Sequence, residues 1–214
     1  MPDPLEAEKS CFLPQDSSFC PIESLLAARQ LRLLVREQAT QQNYLVAIAL
    51  LDRLIACYPN SAIDYNNRGL MYFYAGQLSE ALQDYDTAIA LDKKLAPAYN
   101  NRANFYATQK NFLAALNDYE IAIDLNPTNV RALFNQGITF RELELYDLAI
   151  ENFEIALLLG QTLQGRLYAE RGYTYHLRGD WNCAIGDYQR ALARLRDRDP
   201  YRQKVNNWLN DLLS

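Results

Sequence analysis

The sequence predicts an all-α solenoid: antiparallel helix pairs stacked one after another and closed by a C-terminal cap helix. Three observations carry that prediction. The dodecamer YNNRGLMYFYAG at Tyr65 returns as YNNRANFYATQK at Tyr99, one 34-residue step later. Small residues and aromatics recur at fixed places in each step. Within each step the recurring apolar positions are spaced i, i+4, i+7, which is one face of an α-helix.

Four units in strict register span 28–61, 62–95, 96–129 and 130–163, and a fifth, 165–198, follows after one extra residue in the loop LGQTLQG. Position 8 is Val35, Gly69, Ala103, Gly137 and Gly172, and position 20 is Ala47, Ala81, Ala115, Ala149 and Ala184. Small residues there let two helices approach closely. Position 24 is Leu51, Tyr85, Tyr119, Phe153 and Tyr188, which fill the adjacent gap. Pro59 and Pro127 at position 32 cannot continue a helix and mark the turn into the next unit. Each unit therefore reads as helix A over positions 1–14 and helix B over 17–30. The first unit is the most degenerate, and its first helix is expected to run long, from Pro21 to Gln42.

This pattern closely resembles the tetratricopeptide repeat family, in the style of its bacterial members, cyanobacterial ones included. The resemblance implies a right-handed superhelix over 21–198, with A helices lining a concave wall. Residues 1–20 are expected to be a disordered leader, and 199–214, DPYRQKVNNWLNDLLS, a capping helix that covers the last unit.

A net charge of −5 disfavours nonspecific grip on nucleic acid or anionic membrane. The longest apolar run, Tyr44 to Leu51, is too short to cross a bilayer. The amino terminus lacks a basic start followed by an apolar stretch, so a cytoplasmic protein is expected. Cys11, Cys20, Cys57 and Cys183 with a single histidine cannot assemble a zinc site of the usual spacing; reduced thiols are expected, and no metal or cofactor. His176 has no evident nucleophile partner and there is no Gly-rich phosphate loop, so the chain does not read as an enzyme.

Most of the 15 tyrosines, with Trp181, fall at positions 4, 11, 17 or 24 and read as core. Position 7 is Arg68, Arg102, Gln136 and Arg171 in the last four units, and position 23 is Asp84, Asp118, Asn152 and Asp187. Arg accompanies Asp, and one amide accompanies the other. Arg–Asp bridges between the helices of a pair follow, with Gln136–Asn152 in their place in the fourth unit.

The family resemblance assigns positions 2, 5, 6, 9, 12 and 13 to the concave wall. Position 6 there carries Asn67, Asn101 and Asn135, position 5 adds Asn66 and Asn100, and position 9 adds Asn104. Asparagine is a poor helix former, and its amide both donates and accepts, so it can engage the backbone of an extended peptide. Arg131 and Arg166 add positive charge, and Tyr74 and Tyr173 offer apolar anchors. The expected function is noncatalytic: an adaptor or assembly factor holding an extended or acidic segment of another protein. Two alternatives stand beside it. One is a helical-repeat RNA binder, disfavoured by the acidic balance. The other is a co-chaperone-type binder of acidic C-terminal tails: Asn104, Asn135 and Arg166 match the middle of that clamp, but Asn100 replaces its first Lys and Glu170 its last basic residue.

Overall fold

Every unit folds as a helix pair, and the turn inside the pair has the same conformation each time. The computed structural model describes residues 25–160 and 163–213. Among them are α1 (Leu25–Thr40), α2 (Tyr44–Cys57), α3 (Ala62–Tyr74), α4 (Leu78–Leu91), α5 (Ala96–Thr108) and α6 (Phe112–Leu125). The series continues with α7 (Val130–Glu142), α8 (Tyr146–Leu159), α9 (Gln164–Arg178), α10 (Trp181–Arg194) and α11 (Pro200–Leu213). The leader 1–20, Cys11, Cys20 and the expected helix start at Pro21 lie outside the described residues.

Position 15, between the helices of each pair, has positive φ in all five units: Gln42 at 62°, Gly76 at 78°, Lys110 at 59°, Glu144 at 60° and Gly179 at 94°. The next residue's N–H closes the turn on a carbonyl five residues back, as in Asn111 to Tyr106 and Leu145 to Phe140, both 2.9 Å. This is the Schellman ending of an α-helix. Nothing lies within 4 Å of a Cβ built on Gly76, so replacing it tests backbone strain alone. Gly76→Ala is expected to lower stability by about 1 kcal/mol. Thermal unfolding checks this; an unchanged midpoint would show that the turn tolerates a side chain freely.

Each helix pair closes on Ala at position 20, and Ala47, Ala81, Ala115, Ala149 and Ala184 are fully buried. Position 24 fills the space beside them: Leu51, Tyr85, Tyr119, Phe153 and Tyr188 are buried as well. The second helix of each pair packs on the first helix of the next, and α3, α5, α7, α9 and α11 touch in succession to form one wall.

The expected bridges are present. Arg68 reaches Asp84 through two nitrogens at 2.7 Å, Arg102 reaches Asp118 at 2.7 and 2.9 Å, and Arg171 reaches Asp187 at 2.7 and 3.0 Å. Asn152 donates to Gln136 at 2.7 Å in the fourth unit. Each arginine also bridges to the preceding unit, to Asp52, Asp86 and Glu154, all at position 25. The guanidinium lies between tyrosines at positions 4 and 11, as Arg102 does between Tyr99 at 5.7 Å and Tyr106 at 6.0 Å. Position 7 is therefore a joint between consecutive units as well as a bridge within one.

One expectation needs correction. Trp181 is 64% exposed at the start of α10, because position 17 lies at the helix entry, beyond the packed stripe. Cys183 is free and exposed.

A candidate peptide-binding groove

The wall formed by α3, α5 and α7 borders a groove of about 750 Å³. Its floor is apolar, from Leu70, Phe73, Phe134 and Ile138, and its polar groups include the amides of Asn100, Asn101, Asn104 and Asn135. Of the sequence candidates, Asn100, Asn101, Asn104, Asn135, Arg131, Arg166 and Tyr74 line it; Asn66, Asn67 and Tyr173 do not.

The asparagines differ from one another. Asn66 and Asn100 turn inward and are 5% and 8% exposed. Asn100 donates to Asn101 at 3.4 Å, Asn101 donates to Asn66 at 2.9 Å, and Asn66 donates to Asn67 at 3.4 Å. This amide chain joins α3 to α5. It stops at the next unit, where Asn135 makes no side-chain hydrogen bond among the described residues. The Asn100 Oδ1 is thus buried without a donor, although the equivalent Asn66 oxygen has one.

A second buried group in the groove lining is also unpartnered. The Tyr119 hydroxyl donates to Asn104 Oδ1 at 2.6 Å, but the second unit has Leu70 where Asn104 stands, and the Tyr85 hydroxyl finds no partner. Burial pushes the Tyr85 pKa up, so the hydroxyl keeps its proton and can donate. Sequence reasoning assigned Tyr85 to the core. That is right for its ring and incomplete for its oxygen; the signal was the polar-to-apolar change from Asn104 to Leu70 at position 9.

Charge in the groove is locally positive. Lys110 and Arg131 are exposed and enter no ion pair among the described residues. Arg166 is shared with Asp199 at 3.5 Å and lies over the Tyr201 ring at 5.0 Å. Glu142 lies 3.6 Å from Arg141. The far end is closed by the cap: Trp208 of α11 stacks on Tyr173 at 4.4 Å, which explains why Tyr173 is not an open anchor. Arg141 is paired with buried Glu170 and lies over Tyr173. His176 meets the Tyr188 hydroxyl at 3.3 Å. Tyr74 is the open aromatic, 54% exposed and stacked on Tyr44 at 5.4 Å.

Comparison with known families matches residues 69–110 to a TPR repeat model and residues 96–129 to a tetratricopeptide repeat model. Residues 69–129 are tetratricopeptide repeats, and the helix pairs on either side continue the same architecture. Among solved structures, this repeat protein is similar to a thermophilic TPR protein of Thermus thermophilus, with 17% identity over 86% of this chain and 99% of that one, TM-score 0.74. It is also similar to pilF of Pseudomonas aeruginosa, at 18% identity over 86% and 88%, TM-score 0.72. A third is MamA of Desulfovibrio magneticus RS-1, at 17% identity over 80% and 97%, TM-score 0.66. At such identities the likeness is one of fold. No curated protein matches the sequence. Among the described residues no helix is long and apolar enough to cross a membrane, and no cluster of metal-ligating side chains occurs.

Proposed function

We propose that this repeat protein is a protein–protein interaction module whose groove holds an extended segment of another protein, acidic where it meets Lys110 and Arg131. The observation that carries the reading is the buried, donorless Asn100 Oδ1 in the groove lining. Leaving such an acceptor unmade is costly, and an extended backbone offers an N–H for it and a C=O for the unpartnered Tyr85 hydroxyl. The positive rim in a chain of net charge −5 supplies complementarity to acidic side chains. The reading supports an adaptor or assembly role in the cytoplasm rather than catalysis.

Selection of a random-sequence peptide library on the full chain tests it. Enrichment of acidic sequences is expected, with binding weakened several-fold by Asn135→Ala, a net hydrogen bond being worth about 0.5–1.5 kcal/mol. Arg131→Glu should deplete the acidic sequences. Among the described residues Asn135 and Arg131 have no side-chain hydrogen-bond or ion-pair partner to lose, so both variants should unfold at the parent midpoint. Binders indifferent to both substitutions would sink the proposal.

A further inference from the structure

The outer face of α8 differs from that of the other second helices. At position 16 the other units have Asn43, Gln77, Asn111 and Asp180, but the fourth has Leu145. At position 29 they have Ala56, Ala90, Asp124 and Ala193, but the fourth has Leu158, which is 87% exposed. Leu148, Ile155 and Leu159 form an exposed strip at i, i+7, i+11, edged by Asp147, Glu151 and Glu154. Arg178 and Arg171 meet the first and last of these acids, while Glu151 has no ion pair among the described residues.

The same chain carries a complementary surface at its other end. The outward face of α1 exposes Leu26 and Leu33, a heptad apart, edged by Arg29 and Arg36, also a heptad apart. Neither arginine enters an ion pair among the described residues. We propose that the acidic-edged strip of α8 docks α1 of a second copy of this chain, head to tail. Two copies of the α8 face would set acid against acid, which disfavours a symmetric contact. One helix against one helix buries less than a standard interface of about 1,200–2,000 Å², so the association is weak and concentration-dependent. A head-to-tail contact leaves a free face at each end and builds open oligomers. The groove lined by α3, α5 and α7 stays accessible in each copy.

Sedimentation velocity of the full chain over a concentration series tests this. The expected result is a sedimentation coefficient that rises with concentration and does not level off at a dimer. Glu151→Lys/Ile155→Lys and Arg29→Glu/Leu33→Glu should each give a monomer. Mixed, the two variants should form a one-to-one dimer and stop, since each supplies one intact face. All four sites are at the surface, so circular dichroism should show unchanged helicity. A parent chain that stays monomeric throughout overturns the proposal, as does self-association that survives both variants. A symmetric dimer insensitive to the α1 substitutions overturns it equally.

Discussion

Replacing Arg141 with Met is expected to destabilise the C-terminal units by about 3–5 kcal/mol, the cost of leaving a buried charge uncompensated. The Arg141 and Glu170 side chains are 8% and 3% exposed, so solvent cannot take over from the lost partner. Replacing both, as Arg141→Met/Glu170→Leu, removes the two desolvation costs together and should return most of that stability. Trp208 offers a local probe, since it stacks on Tyr173 and lies 6.1 Å from Tyr188. A local probe matters because repeat arrays need not unfold as one unit. Losses that simply add in the double variant would show that the two side chains do not depend on each other.

The pair also bears on the groove. Arg141 and Glu170 are at positions 12 and 6, which the family pattern assigns to the concave wall, yet they neutralise each other beneath α11. On that helix the cation available to a ligand is Arg131, which is exposed where Arg141 is buried. A count of charged residues at groove positions could not distinguish the two, because the distinction comes from contacts between neighbouring units.

The same limit separates what was legible in the sequence from what was not. The bridges of Arg68, Arg102 and Arg171 could be read because the repeats vary in concert: where Asp becomes Asn152, Arg becomes Gln136. Their second partners at position 25, Asp52, Asp86 and Glu154, could not be read in this way, because Glu120 stays acidic where the next unit has Gln136. Arg32 gave no such signal, since its partner Asp64, at 2.6 Å, is an acid that the other units lack at position 3. The left-handed turn at position 15 was hidden because Gln42, Lys110 and Glu144 adopt it beside Gly76 and Gly179. The inward turn of Asn66 and Asn100 was hidden for a different reason. Positions 5 and 6 are adjacent on the helix, and a rotation small on the scale of sequence patterning decides which amide meets the groove.

Packing at positions 8 and 24 was legible, and it supports a prediction whose sign depends on the partner. Phe153→Ala is expected to cost about 3–5 kcal/mol. The void should not refill readily, because the facing residue is Gly137, which has no side chain to move into it. In the parent chain a Cβ on Gly137 would lie 2.8 Å from Phe153 Cε1. Gly137→Ala alone should therefore be destabilising: overpacking of about 1–3 kcal/mol outweighs the roughly 1 kcal/mol by which Ala exceeds Gly in a helix. With Phe153→Ala already in place the clash is gone. The same Gly137→Ala change should then stabilise, by about 1 kcal/mol from helix propensity and about 0.8 kcal/mol from the buried methyl. Nature has sampled this compensation within the chain, since the first unit sets the larger Val35 against the smaller Leu51. Unfolding midpoints of the parent, both single variants and the double variant give the cycle. A Gly137→Ala change with the same sign in both backgrounds would show that the ring and the glycine are not packing partners.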